Sequence, residues 1–218
     1  MTVRHHIGDD LLLSYAAGTL DEASSLLVAT HLALCPHCRA RAVAADDLGG
    51  ALFEDLPVAE LSPGLRDAVL ARLRSESVAA PATRPHRPRS DIVIPEPLRS
   101  YLGGDLDTLR WTSVAPRVQQ IAIDIANCGP RARMLRFQPG THVPAHGHAG
   151  RELTLVLSGS LCDRDAVLAR GDVAETDEHT EHQPYAGPDK DCICLAVTDA
   201  PLRFKGMFAR MLQPWFGI

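Results

Sequence analysis

The chain has 218 residues and a formal charge of −5, with 45% hydrophobic and 22% charged residues, as in a soluble folded protein of one large or two small domains. That charge argues against a polyanion-binding surface, no run approaches the ~18 apolar residues of a membrane span, and Met1–Asp10 does not resemble a secretory signal. A reducing, cytoplasmic location is the resulting expectation, in which the six cysteines serve as metal ligands or core thiols rather than disulfides.

Residues 1–85 are the acidic part, with a net charge of −4, and would attract a basic partner. Asp9 and Asp10 can cap a short helix over Leu11–Ala17 that Gly18 ends. Thr19 stands three residues before Glu22, the capping-box spacing, so a second helix is expected from about Asp21 to Leu34. Pro36 interrupts the pattern before a third helix over Arg39–Phe53. A fourth runs from Ser62-Pro63 to about Glu76 and carries Leu65, Val69, Leu70 and Leu73 on one face. That stripe has little of its own domain left to bury it, so it packs at home or meets a partner. Ser77–Pro97 holds Pro81, Pro85, Pro88, Pro95 and Pro97 and reads as an extended linker. Beyond it, Gln119–Ile125, Arg131–Phe137, Glu152–Leu157 and Cys192–Val197 are short strand-like runs between turn signals, the pattern of an all-β barrel or sandwich. Leu202–Phe216 is apolar and reads as strand, helix or both. The expected architecture is thus α + β in two domains: residues 1–85 helical, 86–97 linker, 98–218 β.

His31, Cys35 and Cys38 form H-x-x-x-C-x-x-C. Residues four apart share a helix face, so His31 and Cys35 can bind one ion, and Cys38 joins them as the chain turns. Tetrahedral zinc needs a fourth ligand. His5, His6 and His37 are the neighbours; His37 lies between the cysteines and should point away, which leaves His6 as first choice and His5 as second. A closed set of two histidines and two cysteines is structural zinc, which stabilises a small helical domain lacking core. A C-x-x-C redox pair is the alternative, without the expected βαβ context. The arrangement His6, His31, Cys35, Cys38 resembles the zinc-binding anti-sigma family. That resemblance implies three helices around zinc and a fourth, matched by Leu65, Val69, Leu70 and Leu73, that inserts into an extracytoplasmic-function sigma factor.

A second constellation is Gly140, His146, His148, Glu152 and Gly159. Residues two apart on a strand face the same side, so His146 and His148 point together, and Glu152 keeps their parity. Gly171 and His182 follow. Three imidazoles and a carboxylate suit zinc, iron, manganese, nickel or copper. The spacing resembles the cupin superfamily, in which His146, His148, Glu152 and His182 would hold the metal. Asp177 and His179 replace the Pro and second Gly of its second motif, so His179 competes with His182. His142 shares the parity but belongs to no motif. Cys192 and Cys194 share a strand face and read as core filler, as do Cys128 and Cys162.

Taken together, the halves resemble the ChrR-type anti-sigma factors. The resemblance implies zinc in the helical domain and a divalent metal, zinc by first choice, in the barrel. It implies that residues 1–85 sequester a sigma factor in a one-to-one complex, without direct nucleic-acid or membrane contact, and release it on an oxidative, singlet-oxygen-type signal sensed through the cupin. On this reading the chain is not an enzyme. The competing reading is a metal-dependent cupin dioxygenase or isomerase with a helical regulatory module; DNA binding by the zinc module is disfavoured by its acidity.

Overall fold

The structure, a computed structural model, describes residues 2–75, 94–125, 129–164 and 166–204. Helix α1 (Asp9–Ala16) has Gly8 as its N-cap, so Asp9 and Asp10 sit inside the first turn, at the positive end of the helix dipole. Helix α2 (Glu22–Leu34) is capped by Asp21, whose Oδ1 accepts from the Ser24 amide at 2.8 Å. The expected Thr19 cap does not form. Its hydroxyl donates to the Ser14 carbonyl at 3.1 Å instead, because the carboxylate two residues later already takes the N3 amide.

Pro36 starts a helix rather than breaking one. Cys35 is both the C-cap of α2 and the N-cap of α3 (Pro36–Glu54), with Pro36 in the first turn, where its missing N–H costs nothing. Only Cys38 and Ala42 of this helix are buried, so its second half stands in solvent. Helix α4 (Leu65–Ser75) buries no residue at all.

Residues 76–93 lie outside the described residues, and with them most of the expected linker; Cys128 and 205–218 lie outside too. The end of that expected linker is corrected. Pro95 is the N-cap and Pro97 a first-turn residue of helix α5 (Glu96–Leu102), positions that need no backbone donor. Ile94 and Leu98 are fully buried.

Among the described residues, twelve strands follow: β1 (Thr112–Ala115), β2 (Val118–Ala122), β3 (Arg131–Phe137), β4 (His146–His148), β5 (Glu152–Ser158), β6 (Ser160–Asp163), β7 (Ala166–Ala169), β8 (Val173–Thr176), β9 (Glu181–His182), β10 (Tyr185–Ala186), β11 (Cys192–Thr198) and β12 (Leu202–Phe204). They build one six-stranded sheet, β1-β2-β3-β11-β5-β8, and two three-stranded sheets, β10-β6-β7 and β12-β4-β9. The α + β two-part expectation is met, with a cupin-like β half.

Cross-strand rows show what each face of the large sheet does, since paired residues point the same way and neighbouring rows opposite ways. Ile121, Met134, Leu195, Leu155 and Val173 form one row. These side chains join Leu26, Leu27 and Val28 of α2 and Leu98 of α5 in a single apolar cluster. Alternate rows bring Phe137, Val156, Cys192 and Cys194 together in a separate cluster with Cys162 and Leu168 within the β half. The outer sheet face is therefore covered by α2, which is buried on both sides and accordingly apolar nearly all round. Both halves of the chain share one core.

Candidate metal centres

The first centre forms where α2 meets α3. His31 and Cys35 lie one turn apart, and Cys38 follows in the first turn of α3, its amide donating to Cys35 Sγ at 3.4 Å. The segment before α1 brings His6 to the pair: its Nδ1 lies 3.4 Å from Cys35 Sγ and 3.5 Å from Cys38 Sγ. Zinc held by nitrogen at about 2.0 Å and sulfur at about 2.3 Å in a tetrahedron separates those atoms by about 3.5 Å. The ligand atoms of all four residues lie within 4.8 Å of one another.

His31 supplies a further test of fit. Its Nδ1–H donates to the Gly171 carbonyl at 2.8 Å, leaving Nε2 as a buried nitrogen without a hydrogen-bond partner, as a metal ligand would be. Burial, reinforced by His6 and opposed by the Gly171 carbonyl, pushes its pKa down to about 4, so the neutral, ligating form prevails at pH 7. Burial likewise raises the Cys38 thiol; a bound cation reverses that by favouring the thiolate. Between the two alternatives the geometry selects His6. His5 turns its Nδ1 toward Asp172 Oδ2 at 3.5 Å. His37 is exposed and only rests its ring against His6, with centroids 4.6 Å apart.

The second centre lies in the small sheet β12-β4-β9. His146 of β4 pairs directly with His182 of β9, and His148 lies two residues further along β4, on the same face. His182 Nε2 is 3.0 Å from His146 Nε2 and 3.1 Å from His148 Nε2. The His146 Nδ1–H donates to the Pro144 carbonyl and that of His182 to Asp163 Oδ2, both at 2.8 Å. The Nε2 lone pairs thus face one another, an arrangement that a cation between them would relieve. Nitrogens about 2.1 Å from an ion stand about 3.0 Å apart at right angles and about 3.4 Å apart in a tetrahedron. The two short separations match adjacent positions at right angles, and the three ligand nitrogens all lie within 4.8 Å of one another. Burial, with His146 and His182 adding to it, brings His148 down to about 4.

Glu152 departs from its expected place. Among the described residues, the group of close ligand atoms here is His146, His148 and His182. The Glu152 carboxylate lies on the other side of the His148 ring, with Oε2 3.6 Å from Nδ1 and Oε1 accepting from Thr154 Oγ1 at 3.1 Å. The reason is positional: Glu152 opens β5 in the large sheet while His148 closes β4 in another. Burial raises its pKa to about 7, against the opposing effects of Thr154 and Arg133.

His182, not His179, completes the triad. His179 is 85% exposed. Asp177 substitutes for the expected Pro-x-Gly turn by accepting from Thr180 Oγ1 at 2.8 Å and from the His179 amide at 3.1 Å, a side-chain-closed turn that delivers His182 into β9. His142 stacks on Tyr185 with ring centroids 5.1 Å apart. Cys192, Cys194 and Cys162 are buried filler.

The sequence reading missed Asp163, which orients His182, and Asp172, which holds the His6 segment, and it named Gly171 without its contact to His31. It also missed the length of the exposed apolar surface. Leu65 is 43%, Val69 49% and Leu73 67% exposed, and Leu70 is half-buried. Leu52 and Phe53 of α3, and Val58 and Leu61 in the connection to α4, are exposed as well. Among the described residues, no helix is long and apolar enough to cross a membrane.

Comparison with known proteins agrees with both halves. The family described as the ChrR Cupin-like domain matches residues 101–201, and a zinc-finger family matches residues 9–39. Anti-sigma-E factor ChrR of Cereibacter sphaeroides is 46% identical over 219 residues, spanning all of both chains. The crystal structure of Rhodobacter sphaeroides SigE in complex with the anti-sigma ChrR aligns with a TM-score of 0.78 at 43% identity, over 91% of this chain and 100% of that one. On this full-length identity and the two paired domains, the chain belongs to the ChrR family of anti-sigma factors.

Proposed function

We propose that this chain captures an extracytoplasmic-function sigma factor in a one-to-one complex, in the cytoplasm, and lets it go when the barrel centre meets an oxidant of the singlet-oxygen type. The observation that carries the capture is the apolar row Leu65, Val69 and Leu73, exposed on a helix that buries nothing in its own chain. An exposed apolar row of this kind suits a protein partner, and the net charge of −4 on residues 1–85 as a whole disfavours nucleic acid.

Zinc on His6, His31, Cys35 and Cys38 would clamp α2, α3 and the arm before α1. A saturated site of this composition stabilises fold rather than performing chemistry. A divalent metal on His146, His148 and His182, with Glu152 beside His148, would have open positions for water or a small oxidant. Capture requires the helical domain to outbid core polymerase. Release then requires losing a few kcal/mol of that preference, each ~1.4 kcal/mol being tenfold.

Co-expression with the sigma factor encoded beside this chain tests both parts. A one-to-one complex should survive His146→Ala and His148→Ala but no longer dissociate under singlet oxygen. Normal release by both variants would refute the sensor role of the barrel centre. Metal-dependent turnover of a small diketone or flavonol by the full chain would instead favour the enzymatic reading.

A further inference from the structure

The β7–β8 turn of the barrel reaches across to the N-terminal metal centre, although 140 residues separate Gly171 from His31. Two contacts define the junction. The Gly171 carbonyl accepts from His31 Nδ1 at 2.8 Å, which fixes the tautomer and aims Nε2 at the other ligands. Asp172 Oδ1 accepts from the backbone amides of Arg4 at 2.6 Å and His5 at 2.9 Å, immediately before His6. The Val173 amide then donates to the His5 carbonyl at 3.1 Å, so the arm runs as an added step on the β8 edge of the large sheet. Asp172 is itself fixed: it is 2% exposed, and its Oδ2 accepts from the Ala169 amide at 2.8 Å.

We propose that this turn is the outer support of the N-terminal metal centre, with Asp172 as a positioning residue that holds the His6 arm and Gly171 as the group that orients His31. How firmly the helical domain keeps its metal is then set by the barrel. Strand β8 gives the junction a direct line to the second centre. Its first residue, Val173, bonds the arm, and its last, Thr176, pairs with Glu152, whose carboxylate stands beside His148. Four strand residues span about 10 Å. Gly171 marks the closeness of the contact: its φ is +92°, and a Cβ there would come 2.7 Å from Val3 Cγ2.

This inference rests on the reading of His6, His31, Cys35 and Cys38 as a zinc site, and the test separates the two. Cobalt(II) is titrated into the full-length protein in competition with a chelator. Thiolate-to-cobalt charge-transfer bands report the Cys35 and Cys38 site alone, because the barrel triad has no sulfur. Asp172→Ala should weaken metal binding there by about 10- to 100-fold, the usual effect of removing a ligand's orienting partner, while the histidine triad stays loaded. Asp172→Asn keeps one acceptor for the two arm amides but sets its NH2 against the Ala169 N–H that the second carboxylate oxygen accepts, so it should recover part of the loss. If Asp172→Ala does not fold, Gly171→Ala, which displaces the arm through Val3, should show the same weakening. Binding within about threefold of wild type in the alanine variant, or equal loss in the asparagine and alanine variants, would overturn the positioning role. Absence of the thiolate bands in wild-type protein would overturn the zinc reading, and the inference with it.

Discussion

Replacing Leu65, Val69 and Leu73 together by alanine separates a binding surface from a core. The three side chains are 43%, 49% and 67% exposed, so about one and a half side chains' worth of apolar surface remains for a partner to cover. At roughly 1.5–3 kcal/mol for burying a whole Val or Leu, and allowing for the retained Cβ, the lost contact is about 2–4 kcal/mol. That corresponds to an increase of roughly 30- to 1,000-fold in the Kd for the sigma factor. The free protein should barely notice, since exposed substitutions of this kind usually stay within about 0.5 kcal/mol each and alanine favours helix. Isothermal titration with the sigma factor and chemical denaturation of the free chain give the two numbers. A large loss of stability, or an unchanged Kd, would refute the reasoning.

Leu27→Ala should act in the opposite way. Leu27 is fully buried in the cluster that α2 shares with the sheet, so about 2–5 kcal/mol should be lost, and calorimetry should show the helical and β halves unfolding in one transition. Two separate transitions in wild type would contradict the shared core. Asp21→Ala removes the α2 cap and should cost about 1 kcal/mol in denaturant unfolding; no change would mean that the cap is idle. Asp163→Ala frees His182 and should weaken metal binding at the triad about 10- to 100-fold, with the thiolate site unaffected, as read by metal competition.

Most members of the two candidate clusters could be grouped from the sequence because their spacing is local. His31 and Cys35 lie one helical turn apart, and His146 and His148 one strand repeat apart; those periods are visible in a string of letters. His6 over His5 was a choice between neighbours; the structure places His6 with His31, Cys35 and Cys38 and turns His5 toward Asp172. The contacts of Asp163, Gly171 and Asp172 could not be read, because tertiary packing between separate elements brings them to their histidines from 19 to 167 residues away. Glu152 kept the right parity in the sequence but opens a different sheet from His148, and parity does not carry across that break. Helix α5 hid among prolines that a first turn tolerates. The burial of α2 had a signal, its apolar residues on nearly every face, but which surface it met was a matter of tertiary packing.

The central claim is that a metal on the thiolate site holds the helices in the shape that captures the sigma factor. Its most direct test is the Kd for the sigma factor measured on one full-length preparation before and after a chelator empties that site, with zinc then restored. The account predicts a rise of about a hundredfold or more on removal, because such a site supplies folding free energy, and full recovery with zinc. An unchanged Kd in the emptied protein would contradict it.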